Sequence, residues 1–81
     1  MHVRIRLFAG LREAAGRGEL ELELPAGATP EDAWRHLAEA HPALAPRRRS
    51  LSAAVNRRYV GFDAPLGDRD EIVFIPPVSG G

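Results

Sequence analysis

The chain has 81 residues, a formal net charge of zero and no cysteine. This length supports one domain with one small core, which leaves little concave volume for a self-contained active site. The lack of cysteine excludes disulfides and thiolate metal sites, and the balanced charge argues against general binding to nucleic acid. No apolar run reaches membrane length and no signal peptide is visible, so we expect a cytoplasmic protein with no membrane partner.

The N-terminal third alternates apolar and charged residues, which is typical of half-buried strands. The segment His2–Ala9 predicts a first strand, with Phe8 displaced onto the face that carries the arginines. The segment Glu19–Leu24 predicts a second strand, whose glutamates can pair with those arginines across a hairpin. Between the two strands, Leu11–Ala15 predicts a helical turn.

A helix follows the second strand. Thr29 is a residue type that caps helices, and proline is tolerated at the first helical position. The apolar spacing predicts a helix over Pro30–Ala40, with Trp34 in the core. Pro42 and Pro46 are predicted to end it.

The segment after this helix predicts a loop. We expect Ala43 and Leu44 to lie beneath that loop, and we interpret the charge run Arg47–Arg49 as solvent-exposed rather than as a partner contact.

The C-terminal half predicts three further strands. The segment Leu51–Asn56 forms one, Arg58–Val60 a short second, and Glu71–Ile75 the last. The turn-rich segment Asp63–Asp70 precedes the last strand, with Leu66 as its apolar anchor.

These elements predict an α+β fold with one main helix packed on one face of a mixed sheet of about five strands. If the first and last strands are adjacent and parallel, this is the β-grasp arrangement. We divide the chain into a domain over residues 1–75 and an extended tail over residues 76–81.

The tail ends in two glycines, which contribute nothing to a core. Proline restricts the start of the tail to extended conformations, so the tail projects from the last strand. Glycine lets a backbone enter a narrow channel. Fully extended, the tail reaches roughly 20 Å. We predict that its reactive group is the carboxylate of Gly81, which another enzyme activates. The residues predicted to be recognised around it are Pro76, Pro77, Val78, Ser79 and Gly80.

The strand pattern predicts an interface beside the tail. With Val3, Ile5 and Leu7 facing the core, Phe8 points outward, and Ile75 points outward on the last strand. We predict that both lie on one exposed apolar face, joined by Tyr59, because aromatic and aliphatic residues exposed together indicate a partner surface. Three arginines are predicted to form its polar rim: Arg4, Arg6 and Arg58.

The whole chain resembles the MoaD-type sulfur carriers, which are ubiquitin-like β-grasp proteins and small subunits of molybdopterin synthase. The resemblance rests on Phe8 after the first strand, on Ala54–Asn56 in the third, on the turn Leu66–Asp70 and above all on Ile75–Gly81. One departure is Arg69, where the family commonly has glycine. From this we predict a slightly different turn type, since arginine is strained at positive φ.

The resemblance implies that a MoeB-type, E1-like enzyme adenylates Gly81 with ATP and Mg²⁺, and that a sulfur donor then forms a thiocarboxylate. It implies that a MoaE-type large subunit, in a heterotetramer, uses this sulfur on cyclic pyranopterin monophosphate to build molybdopterin. The catalytic residues are then expected on the large subunit. The chain itself is expected to bind no cofactor or metal and to be no enzyme alone.

Three alternatives remain open from the sequence. The carrier could serve thiamine thiazole synthesis or tRNA thiolation, or Gly81 could be joined to lysines of target proteins as in a ubiquitin-like modifier. A plain binding module is the third. Deleting Gly81 separates a binding module from the carriers, because only a module keeps its function.

Overall fold

The structure is a computed structural model, and it describes residues 1–77. In chain order, the described elements are β1 (His2–Arg6), α1 (Ala9–Ala15), β2 (Glu19–Glu23), α2 (Pro30–Ala40), a 3₁₀ helix (Pro42–Ser50), β3 (Ser52–Val55), β4 (Arg58–Val60) and β5 (Glu71–Ile75). None of the helices within this range is long and apolar enough to cross a membrane.

The five strands form one mixed sheet in the order β2-β1-β5-β3-β4. Strands β1 and β5 are parallel neighbours, and the other pairs are antiparallel. The predicted β-grasp arrangement is therefore confirmed. Within residues 1–77, the last strand is also the central strand of the sheet, with residues 71–73 paired to β1 and residues 72–75 paired to β3.

Helix α2 begins at a capping box. The Thr29 hydroxyl accepts a hydrogen bond from the Asp32 backbone N–H at 3.3 Å, and the Asp32 carboxylate accepts one from the Thr29 N–H at 2.9 Å. These hydrogen bonds satisfy two donors that would otherwise lack partners at a helix start. The Thr29 N–H also lowers the pKa of Asp32, because it stabilises the ionised carboxylate. The predicted bounds of this helix are confirmed.

The core lies between α2 and the sheet. Trp34 on the helix packs edge-on against Phe74 of β5, with ring centroids 5.1 Å apart, and Phe62 stacks on Phe74 at 6.0 Å. Leu66 is buried, as predicted for the anchor of the loop before β5. The largest fully buried side chains are Phe74, Ile5, Leu7, Leu11, Leu37, Leu44, Ile72, Val3 and Pro30.

The loop predicted after α2 is wrong, since Pro42–Ser50 forms the 3₁₀ helix. Two prolines remove backbone donors that an α-helix would use, and the completely buried Leu44 anchors the tighter turns. Ala43, predicted to lie beneath the segment, is exposed instead.

The interpretation of Arg47–Arg49 as solvent-exposed is wrong for its central residue. The Arg48 guanidinium donates to Glu31 through Nη2 at 2.6 Å and through Nε at 3.0 Å, and its carbon lies 3.5 Å from the Phe62 ring centroid. Arg48 therefore joins the 3₁₀ helix to α2 and to the segment after β4 through a forked ion pair and a cation–π contact. The same contact lowers the pKa of the Glu31 carboxyl.

The turn before β5 also differs from the prediction. Arg69 has φ 67°, in the left-handed region that favours glycine, so the chain keeps the turn that the family's glycine suits. The conformation lets the Arg69 N–H donate to the His2 carbonyl at 2.6 Å, and Gly67 N–H donates to the Asp70 carboxylate at 2.7 Å. The first bond holds the turn against the start of β1, the second closes the turn itself, and both offset the strain.

Candidate functional site

The tail begins at the end of the central strand. Ile75, the last residue of β5, is paired with Ser52 of β3, and Pro76 and Pro77 follow at once. Pro76 is half-buried and Pro77 is exposed. The predicted reactive Gly81, with Val78, Ser79 and Gly80, lies outside the described residues. The structure therefore locates the root of the tail. The reactive carboxylate of Gly81 stays a prediction.

Phe8 lies two residues after the end of β1 with an extended backbone, and its side chain is 48% exposed although phenylalanine is among the residue types most often buried. Arg6 pairs with Val73 across the parallel β1–β5 ladder. The ladder ends at this pair, and continuing its register by two residues on each chain would place Phe8 level with Ile75, on the sheet face that lies away from α2. The proximity of Phe8 and Ile75 therefore stays a prediction, and the register of the neighbouring pairs supports it.

Tyr59 is on the same outer face but at its edge. It is 75% exposed and pairs with Ala54, which in turn pairs with Val73 of the central strand. Tyr59 therefore extends the apolar surface sideways, two strands away from the root of the tail. We call the surface formed by Phe8, Val73, Ile75 and Tyr59 the outer apolar face.

The predicted polar rim of this face is partly wrong. Arg6 belongs to it, because its guanidinium carbon lies 5.7 Å from the Phe8 ring centroid. Arg4 is on the same side of the sheet and pairs with Glu19 at 3.1 Å. Arg58 does not belong, because it pairs with Val55, whose side chain packs against the core, and so it lies on the opposite side of the sheet.

Sequence reasoning missed an open groove of about 500 Å³ at the root of the tail. We call it the tail-root groove, and its lining includes Gly10, Arg47, Ser50, Leu51, Pro76 and Pro77. A Cβ atom added at Gly10 would lie 3.1 Å from Nη1 of Arg47, so this guanidinium sits directly over the glycine backbone. No pattern in the sequence indicated that the start of α1 and the end of the 3₁₀ helix meet here.

The opposite end of the sheet is strongly charged. His2 contacts Glu23 at 2.8 Å and Glu21 at 3.3 Å, and these two carboxylates raise the pKa of its imidazole. The His2 backbone N–H donates to Asp68 at 2.7 Å, which lowers the pKa of that carboxyl. Across residues 1–77, no group of His, Cys, Asp and Glu side chains is arranged to hold a metal ion.

The fold and the site define a class of protein: a small β-grasp domain whose central strand leads directly into a proline-rooted tail. The chain belongs to the ThiS family, which matches residues 5–81. It is 40% identical over its whole length to the molybdopterin synthase sulfur carrier subunit of Chlamydomonas reinhardtii, all of which is covered. It is also 40% identical to the subunit of that name from Escherichia coli, with 98% of this chain and 99% of that protein aligned. The predicted resemblance to these carriers is confirmed.

A solved structure agrees closely with this fold. The small archaeal modifier SAMP1 from Haloferax volcanii superposes with a TM-score of 0.90 at 30% identity, with both chains covered completely. This likeness confirms the ubiquitin-like β-grasp fold. It also relates the chain to a protein whose name denotes a modifier.

Proposed function

We propose that this chain is the sulfur carrier subunit of a molybdopterin synthase. The observation that carries the proposal is full-length identity of 40% to two proteins of that name, together with a tail rooted on the central strand. A tail fixed at its root and free of side chains at its last two residues suits delivery of a reactive group into another protein's channel.

The proposed chemistry takes place on the α-carboxylate of Gly81 in two steps. First, a carboxylate oxygen attacks the α-phosphorus of ATP, the bond to the β-phosphate breaks, and pyrophosphate leaves. Hydrosulfide supplied by the sulfur donor then attacks the acyl carbon, AMP leaves with the original carboxylate oxygen, and one proton is released. The product is a thiocarboxylate. An unhindered glycine favours attack at this carbon, because no side chain blocks the approach of the nucleophile.

The chain's own described residues have supporting roles in this scheme. Pro76 and Pro77 direct the tail away from the sheet, and the outer apolar face receives the partner beside it. We propose two such partners: a MoeB-type, E1-like enzyme that uses ATP and Mg²⁺, and a MoaE-type large subunit in a heterotetramer. The large subunit would supply the catalytic residues that move sulfur to cyclic pyranopterin monophosphate, in the cytoplasm where ATP is available.

A second candidate is a protein modifier, in which a lysine amine of a target attacks the activated Gly81. It is favoured by 38% identity to small archaeal modifier protein 1 of Haloferax volcanii, with 94% of this chain and 97% of that protein aligned. Both functions share the adenylation step and differ only in the nucleophile that follows. A sulfur carrier for thiamine thiazole synthesis or tRNA thiolation would form the same thiocarboxylate and would differ only in the molecule that accepts the sulfur.

The test is the intact mass of the chain after incubation with an E1-like enzyme, ATP, Mg²⁺ and a sulfur donor. We expect a shift equal to the replacement of one oxygen by sulfur, which is lost when Gly81 is deleted and retained in Ala43→Asp, a change at an exposed residue outside the tail. The thiocarboxylated chain should then yield molybdopterin when mixed with the large subunit and cyclic pyranopterin monophosphate. A mass shift without molybdopterin would contradict the proposed acceptor, and covalent adducts on target lysines would favour the modifier.

A further inference from the structure

The tail-root groove contains a cation that has no carboxylate partner among residues 1–77. Arg47 lines the groove beside Pro76 and Pro77, and its Nη1 lies over Gly10. The ion pairs of the described chain involve Arg4, Arg35, Arg48 and Arg69 but not Arg47. Its neighbour Arg48 is held by Glu31, so the two adjacent arginines have different environments.

The position of Arg47 matters because any protein that takes up the tail must come close to this groove. Four residues follow Pro77, and even fully extended they span at most roughly 14 Å. A protein that encloses Gly81 in an active site must therefore bring the mouth of its channel close to Pro77. The rim of that mouth then meets the lining of the tail-root groove.

The chemistry of the groove determines what the rim should carry. The lining residues apart from Arg47 are uncharged, namely small apolar residues, leucine, proline and Ser50. A guanidinium is a forked donor that matches a carboxylate, and Ser50 offers a further hydroxyl donor on the same lining. An acidic side chain is thus the complement of this surface.

We propose that Arg47 is a specificity-determining residue for tail activation, which forms an ion pair with an Asp or Glu carboxylate at the channel mouth of the E1-like enzyme. The inference rests on the proposed function, since it assumes that the tail is adenylated. Arg47 does not touch the reacting atoms. It acts by orienting the β-grasp domain while the tail is inside the channel.

The experiment is ATP–pyrophosphate exchange by the E1-like enzyme, measured against carrier concentration. This assay reports adenylation alone and needs no sulfur donor. The variants are Arg47→Gln and Arg47→Glu, with Arg49→Glu as the matched control. The substitution Arg49→Glu makes the same charge change in the same 3₁₀ helix. Arg49 is exposed and does not line the tail-root groove.

We expect Arg47→Glu to raise KM for the carrier roughly five- to tenfold and Arg47→Gln less, with kcat within about twofold of wild type. Arg49→Glu should leave KM within about twofold, and the effect of Arg47→Glu should shrink as salt rises from low to about 0.5 M. A purely structural role would instead lower the thermal unfolding midpoint without a salt-dependent KM.

Two outcomes would overturn the inference in distinguishable ways. Equal KM values for wild type, Arg47→Glu and Arg49→Glu, with exchange intact, would refute the Arg47 contact and leave the proposed function standing. No exchange with the wild-type chain, under conditions in which the enzyme adenylates a known carrier, would refute the proposed function and the Arg47 contact together.

Discussion

Replacing Arg69 by glycine should stabilise the protein, although it removes a charged side chain. Arg69 has φ 67°, and an L-residue in the left-handed region costs roughly 1–2 kcal/mol relative to glycine. Part of this gain in stability is lost, because the unfolded chain with glycine has more conformational freedom, which costs about 0.4–1 kcal/mol on folding. The ion pair of Arg69 with Asp68 spans 3.9 Å at a side chain that is 88% exposed, so its loss should cost little. The expected net gain is about 0.5–1 kcal/mol.

Urea unfolding followed by fluorescence of the buried Trp34 measures this gain directly. With a urea m-value of about 1 kcal/mol/M for a chain this small, the midpoint of Arg69→Gly should rise by roughly 0.5–1 M. Arg17→Gly is the matched control, since Arg17 is exposed in a loop and is not among the positive-φ residues. The control should lose stability. If the urea midpoints of Arg69→Gly and Arg17→Gly fell by the same amount, the strain assigned to the turn before β5 would be absent.

Three further predictions concern the helix cap, acid stability and the partner surface. Thr29→Ala should lose about 1 kcal/mol in urea unfolding, while Thr29→Ser should keep most of the cap; equal losses would contradict the capping role. The pKa of Glu31 lies below its ordinary 4.5 because Arg48 donates to it, so its stabilisation is present above that pH and is lost as pH falls. Urea midpoints between pH 7 and about pH 3.5 should therefore fall less in Glu31→Gln than in wild type, and identical slopes would refute the assignment. Phe8→Asp should weaken binding to the large subunit about tenfold or more and leave the fold intact, whereas Ala43→Asp, also on an exposed residue, should bind normally.

The elements that could be predicted from the sequence are those whose apolar period or terminal residues are local signals. Alternation in His2–Ala9 and the Thr29 cap followed by proline predicted β1 and α2 within a few residues of their observed bounds. The 3₁₀ helix carries no such signal. Its environment depends on a tertiary contact, the stacking of Arg48 on Phe62, which lies in the loop after β4 and far from Arg48 in sequence.

The candidate site shows the same division. Alternation along one strand predicted the exposure of Phe8, whereas its proximity to Ile75 depends on how the β1–β5 register continues beyond Arg6 and Val73. The face of the sheet on which Arg58 lies was not predictable, because a three-residue strand is too short to show an alternating pattern of burial. Only the pairing of Arg58 with Val55 assigns it to the face opposite the outer apolar face. The tail-root groove was also beyond the sequence, since it needs three separate segments in one place.

The position of the tail on the central strand explains how a domain this small can present a defined tail. At an edge strand, every residue that leads into the tail would be paired from one side alone, and local fraying would change the direction of everything after it. Here residues 71–73 of β5 pair with β1, residues 72–75 pair with β3, and the Phe74 side chain is completely buried against Trp34. Opening this strand would require breaking two ladders and the aromatic core together, so its opening free energy should approach that of global unfolding. The root of the tail therefore follows directly from a segment of β5 that should open only rarely, and hydrogen exchange of the Ile72 and Val73 amides, which are paired on both sides, should be among the slowest in the protein.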